Sequence, residues 1–298
     1  MRQSDLPDEL VIGVIEMKIQ TSALKGLLDR TQRKHTVAGA TNPQVVACMI
    51  RGDGQGTASV TSLVKDGVTS LSRFSCDAES PTGCAIPIPD IERIKGALKF
   101  HGGLLTLSFH HGKLRLKSGA KSTTLLASEN AKAFPHSPHS LGEWERRSME
   151  QANSITYHSS SFPSGDGTVL YTTKNGTKIN PMFSAEIDAV ELFEAVRCVN
   201  MNSQKSNTFT FTLKDRVLSL TVGGDLKGAT TTVLRDDIPL NDGSFEAAYH
   251  GGLNHVLQHL NGSLTLNFLD FRSFNQGIAM LITHGERDFI YQAGIVDG

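Results

Sequence analysis

The stretch IPDIERIKGALKFHGGLLTLSFHHGKLRLKSGAKSTTLLASENAKAFP, residues 88–135, contains a complete helix-plus-strands unit. Pro87-Ile88-Pro89-Asp90 leads into Ile91, Ile94, Ala97 and Leu98, an apolar stripe at helical spacing, with Asp90 placed to cap the first turn. The helix is expected to stop near His101-Gly102-Gly103. Leu105, Leu107 and Phe109 then alternate with Thr106 and Ser108, which is strand periodicity. His111-Gly112 reads as a turn into Leu114 and Leu116, which alternate with Lys113, Arg115 and Lys117. A second turn at Ser118–Lys121 opens a third strand over 122–127, and the unit closes at Ala133-Phe134-Pro135.

The same succession recurs on either side. Val11–Ile19 reads as an opening strand, and Thr21 or Ser22 can cap a helix with Leu24, Leu27 and Leu28 inside. Strands are expected at Val45–Ile50, Ala58–Val64 and Thr69–Phe74, with Asp66-Gly67 turning between the last two. Beyond residue 180, Phe183–Ile187 precedes a helix with Val190, Phe193 and Val196 inside. Phe209–Leu213 and Leu218–Val222 alternate across the Lys214-Asp215-Arg216 turn. Phe245–Tyr249 is the next strand, Leu253, Val256, Leu257 and Leu260 form a fourth helical stripe, and strands follow at 264–268, 279–282 and 288–293. Helices thus begin near residues 21, 89, 187 and 251, with the middle interval the longest. Recurrence of this kind is the mark of repeated architecture. The fold class expected is α+β: an N-terminal domain over 1–135, a Ser/Pro/Gly-rich connector over 136–170 and a C-terminal domain over 171–298, each domain a pair of βαβββ units.

Composition narrows the chemistry. The chain has 298 residues and a formal net charge of −1, which disfavours a surface uniformly basic for nucleic acid but allows a local basic face. The cysteines Cys48, Cys76, Cys84 and Cys198 form no C-x-x-C pair and read as buried reduced thiols. A polar start over Met1–Glu9 and the lack of an apolar run of about 18 residues lead to the expectation of a soluble, intracellular protein. No H-E-x-x-H, G-x-S-x-G or G-x-x-x-x-G-K-[ST] motif is present, so no catalytic residue, cofactor or metal is assigned. Gly52–Gly56 lacks the lysine and hydroxyl of a phosphate loop, and His101, His110 and His111 are poorly spaced for a metal.

The outer helix faces carry the clearest signal. Lys25, Arg30, Arg33 and Lys34 lie on or just after the first helix, and Arg93, Lys95 and Lys99 on the second beside Glu92. The third offers Arg197, with Lys205 beyond its end, against Glu191 and Glu194. Any one such face is ordinary solvated helix. Collected in a near-neutral protein, they suggest a modest positive surface for a phosphate backbone, without base reading.

The arrangement resembles the DNA sliding clamps, the family of proliferating cell nuclear antigen, the phage clamps and the bacterial polymerase III β subunit. Residues 88–94, Leu105–Phe109, Lys113–Gly119 and Ala133-Phe134-Pro135 look like a bacterial-type clamp domain. Phe183-Ser184-Ala185, Phe209–Val222 and the tail from Tyr291 to Val296 are similar to a last clamp domain. The resemblance implies the DNA-clamp fold, with inner helices, outer antiparallel sheets and, for two domains per chain, a homotrimeric ring. It implies a non-enzymatic processivity factor that encircles double-stranded DNA without sequence preference, is placed by a clamp loader and tethers DNA polymerase. It also implies an apolar pocket for partner peptides, matched by position to Val60, Leu63, Tyr291, Ala293, Ile295 and Val296. The setting would be the cytoplasm or nucleoid of a host cell, with a viral source left open. Two other readings stand beside it: a monomeric processivity subunit that holds DNA by charge, and a structural or scaffolding β-rich protein.

Overall fold

A computed structural model describes residues 15–31, 47–52, 54–65, 69–80, 85–88, 91–110, 113–126, 155–156, 171–173, 178–179, 181–202, 208–222, 229–236, 238, 244–250, 253–274, 277–285, 288–292 and 294–295. In chain order come β1 (Ile15–Gln20), α1 (Thr21–Arg30), β2 (Ala47–Gly52), β3 (Thr57–Lys65), β4 (Thr69–Glu79), β5 (Ala85–Ile88), α2 (Ile91–Leu98), β6 (Leu104–His110), β7 (Lys113–Ser118) and β8 (Lys121–Leu126). The short strands β9 (Ile155–Thr156), β10 (Tyr171–Thr173) and β11 (Lys178–Ile179) form a small antiparallel sheet. Then follow β12 (Phe183–Asp188), α3 (Ala189–Asn202), β13 (Thr208–Lys214), β14 (Val217–Val222), β15 (Thr230–Arg235), β16 (Phe245–His250), α4 (Asn254–Leu257), β17 (Ser263–Asp270), β18 (Ile278–His284) and β19 (Asp288–Gln292).

The chain divides into two compact units. The first comprises Met1–Leu28, Ala47–Thr61 and Ser75–Ser148, and the second Asp29–Val46, Ser62–Phe74 and Met149–Gly298. In the first, β1 pairs antiparallel with β6, β6 with β7, and β7 with β8, while β2 pairs with β5. In the second, β12 pairs with β17, β17 with β18, and β18 with β19, while β16, β13, β14 and β15 lie side by side. Strand for strand this is one βαβββ plan used twice in each half, as the periodicity implied. The C-terminal half of β4 pairs with β1 in the first unit, and its N-terminal half, Ser70–Arg73, pairs with β19 in the second.

The repeat extends to single hydrogen bonds. The amide of Thr21, first residue of α1, donates to the carbonyl of Gly103 at 2.9 Å, and that of Ala189, first residue of α3, donates to Gly262 at 2.8 Å. Both glycines have positive φ, 64° and 81°, a conformation that costs a residue with a Cβ but not glycine. The start of each helix is thereby tied to the strand that pairs with the preceding one.

The core follows the alternation. Met17, Ile19, Leu24, Leu27, Leu28, Leu105, Leu107, Leu114 and Leu116 are fully buried in the first unit, an aliphatic interior. The second is aromatic: Phe209, Phe211, Tyr249 and Phe268 are buried, with ring centroids 5.3–6.0 Å apart at stacked or edge-on angles.

Three expectations need correction. The third helix does not bury Val190, which is 53% exposed; Ala189, Leu192, Ala195 and Val196 face inward. The shift follows from the cap: Asp188 Oδ1 accepts the amides of Val190 and Glu191 at 2.8 and 3.3 Å, which fixes where the first turn starts. The signal was present as Asp188-x-x-Glu191, a capping-box pattern. Thr21 does not cap its own helix; its hydroxyl donates to the Gly103 carbonyl at 2.8 Å. Cys76 is half-buried rather than fully buried. The second helix runs to Leu98, and turns bonded from Lys99, Phe100 and His101 carry the chain to the expected stop. The Asp215-Arg216 turn is as expected, with φ of 51° and 68° giving a type I′ hairpin. Asp90, Asp66-Gly67, His111-Gly112 and Ala133-Phe134-Pro135 lie outside the described residues.

Candidate nucleic-acid interface

Helix α2 is amphipathic because Ile91, Ile94, Ala97 and Leu98 recur on one side and are buried there. Its other side carries Glu92 and Arg93, both exposed, and Lys95, half-buried; Lys99 is exposed in the turn that follows. Phe100, next to Lys99, is 70% exposed. On α1 the buried stripe is Leu24, Leu27 and Leu28, and Lys25 is half-buried on the opposite side.

Arg30 has a different setting from the other cations. Its guanidinium pairs with Asp288 at 3.3 Å and sits over the Phe74 ring, 5.3 Å from the centroid, with side chains 22% and 13% exposed at the ion pair. Arg197 is exposed but bonded to Glu194 one turn back at 3.3 Å. Alongside Glu191, this leaves α3 with two carboxylates against one described cation. α2 and its turn have three cations against one carboxylate. The positive character therefore sits on the first unit's helices. Arg33, Lys34 and Lys205 lie outside the described residues.

Of the peptide-pocket candidates, Val60 is 1% exposed on β3 and Tyr291 is 3% exposed on β19. Leu63 is also on β3. Ile295 is half-buried, and its amide donates to the Ala248 carbonyl of β16 at 2.9 Å, which ties this part of the tail to the second unit. Ala293 and Val296 lie outside the described residues.

His101 is engaged within the fold. Buried at 6% exposure, its Nδ1 lies 2.8 Å from Ser118 Oγ and its Nε2 2.9 Å from Thr123 Oγ1. It joins the end of α2 to the β7–β8 hairpin. Burial, and secondarily the nearby Lys121 ammonium, holds its pKa below the usual 6.5. Among the described residues no group of three His, Cys, Asp or Glu side chains is arranged to hold a metal ion, and no helix is long and apolar enough to cross a membrane.

No family model matches the chain, and no curated protein matches it. Solved structures do. The DNA polymerase III β subunit of Pseudomonas aeruginosa superposes with a TM-score of 0.59 at 16% identity, over 99% of this chain and 70% of that one. The β sliding clamp of Caulobacter crescentus gives 0.59 at 15%, over 99% and 69%. The β subunit of Thermotoga maritima gives 0.60 at 13%, over 100% and 70%. At such identities the likeness is one of architecture. The chain has the fold of the DNA sliding clamps.

Proposed function

We propose that this protein is a DNA polymerase processivity factor, a non-enzymatic sliding clamp that closes as a homotrimer around double-stranded DNA. Domains over 1–135 and 171–298, joined by the connector 136–170, form the repeating parts of the ring. Its partners are duplex DNA, the polymerase and a clamp loader. The observation that carries this reading is a pair of open edges. Within the second unit β19, the last strand of its βαβββ run, pairs with the first half of β4, the last strand of another. The two remaining run-ending strands are β8 and β15, and among the described residues each has a neighbour on one side only. Joining β8 of one copy to β15 of the next would repeat the same kind of junction head to tail, which closes into a ring when the rotation permits. Val233, 56% exposed on β15, suits such a contact better than it suits water.

Lys25, Arg93, Lys95 and Lys99 are assigned to the DNA backbone, with Arg33, Lys34, Arg197 and Lys205 as weaker or flanking contributors and Arg30 already matched by Asp288. Scattered, screened cations suit sliding, because each contact is weak and none reads a base. Leu63, Ala293, Ile295 and Val296 are assigned to partner-peptide binding, with the buried Val60 and Tyr291 supporting that surface from beneath. Sedimentation tests the assembly: a trimer that Val233→Lys reduces to monomer is expected, and a parent protein that is itself monomeric would refute the ring. Retention on closed circular DNA with prompt loss after linearisation tests encirclement. Equal loss from both forms would instead favour a monomeric DNA-binding subunit.

A further inference from the structure

Strand β7 sends Leu114, Leu116 and Ser118 inward and Lys113, Arg115 and Lys117 outward, all three cations exposed. Arg115 and Lys117 are flanked by Ser108 and Thr106 of β6 and by Thr124 and Ser122 of β8, hydroxyls on both sides, while the positions opposite Lys113 are His110 and Leu126. Arg115 Nε donates to Ser122 Oγ at 2.9 Å, which restrains the guanidinium over the sheet. Among the described residues, none of the three cations is ion-paired with a carboxylate. Among the described residues, the carboxylates sharing this face are Glu16 on β1 and Asp77 and Glu79 on β4, with Glu79 already paired to Lys18 at 3.2 Å. Glu16 stands two strands from Arg115, about 10 Å, close to a Debye length in physiological salt.

We propose that this outer face of the first unit binds the phosphodiester backbone of a single nucleic-acid strand, independently of sequence. Alternate residues of a strand repeat every 6.8 Å or so, which makes a single file of cations about 14 Å long. The groups on offer are Lys and Arg donors with Ser and Thr hydroxyls, suited to acceptor-only phosphate oxygens. A flexible single strand can follow the twist of the sheet along this file. A duplex is stiff over about 150 base pairs and convex, so it touches such a face only in passing. The described side chains of the face include no Phe, Tyr or Trp, so stacking adds little and binding is by charge. The helix cations are a separate set, and the proposal does not require the ring.

The test is fluorescence anisotropy of a labelled oligothymidylate with the full chain, titrated across about 50–200 mM salt. Each phosphate contact to a single strand contributes about 0.7 to the log–log salt slope, so Lys113→Gln/Arg115→Gln/Lys117→Gln should flatten the slope by about 2 and weaken binding at least tenfold or so at the lowest salt. Lys113→Gln alone, a change at one exposed position, should remove about 0.7 of that slope even if the triple variant misfolds. Lys214→Gln, at an exposed cation of β13 in the second unit, should leave oligothymidylate binding as it was. Unchanged binding in the charge-removed variants overturns the proposal and leaves the row as a solubilising feature of the surface. A larger loss in Lys95→Ala/Lys99→Ala than in the triple variant also overturns it, by moving the strand to the helices. So does a duplex of equal length that binds through Lys113, Arg115 and Lys117 as tightly, or polyglutamate that displaces the oligonucleotide at equal charge, which would make the face a dock for an acidic protein segment.

Discussion

Strands β6–β7–β8 and β17–β18–β19 occupy the same places in their repeats, yet their outer faces are opposites. On β7 the outward positions are Lys113, Arg115 and Lys117, open to water. On β18 the matching face has Ala279, Leu281 and Thr283, with Leu269 of β17 and Phe289 and Tyr291 of β19 beside them, all at most 8% exposed. The pairing pattern needs only one apolar face per strand, so the second face is free to differ. One repeat uses it as a charged surface and the other as a second buried layer. Backbone plan and surface role are thus set by different residues of the same strands.

The contrast can be broken most sharply by exchanging chemistry across it. Leu281→Lys should cost about 3–5 kcal/mol by burying an unpaired ammonium, whereas Arg115→Leu should stay within about 0.5 kcal/mol. Urea unfolding midpoints at constant slope check both; equal effects would mean that the two faces are alike in solution. Next in size are the two arginines. Arg30→Ala removes a largely buried pair with Asp288 and a ring contact and should cost about 1–2 kcal/mol, and Arg197→Ala, in an exposed pair, under about 0.5. Thermal melts of the two variants, with Asp288→Ala as the partner control for Arg30, measure the difference. Asp188→Ala should lower stability by about 1 kcal/mol through loss of the α3 cap, and Asp188→Asn by only a few tenths. A cap-independent helix would show no difference between them.

The smallest effect is a pH dependence from the first unit. His101 is held neutral in the fold below its ordinary 6.5, so the unfolded chain binds the proton more readily. Its contribution is complete above about 6.5, declines as pH falls from there toward the lowered folded value, and levels off below it. Melting temperatures of His101→Gln and the parent at about pH 7.5 and 5.5 should converge at the acid end. A constant gap across that range would show that His101 does not titrate in this way.

Much of the architecture was legible because its determinants are local. Alternation at Leu105–Phe109, Leu114–Leu116 and Phe209–Val222 requires strands, and the stripes at Ile91–Leu98 and Leu253–Leu260 require helical turns. What escaped were choices made by distant partners. Val190 satisfies helical spacing as well as Leu192 does, and only the Asp188 cap decides between them. Arg30 looked like its neighbour cations because Asp288 lies 258 residues away in sequence. The row on β7 was visible as alternation, but its lack of ion-pair partners among the described residues emerges only when β6 and β8 are set beside it. The candidate interface was therefore readable as a list of charges, and its division between units was not.

The bonds from Thr21 to Gly103 and from Ala189 to Gly262 impose a direction on helix motion. Each helix is fastened at its first residue to a strand that is itself paired along its length, so opening has to begin from the other end. In α1 that far end is held as well, by Arg30 against Asp288; the only described ion pair of α3 lies within the helix itself. Amide protons of α3 should then exchange with solvent in order from the last turn toward the first, and those of α1 should be released more nearly together. The helix whose surface is least basic would be the one that frays, and the helix bearing Lys25 would remain the stiffer rail.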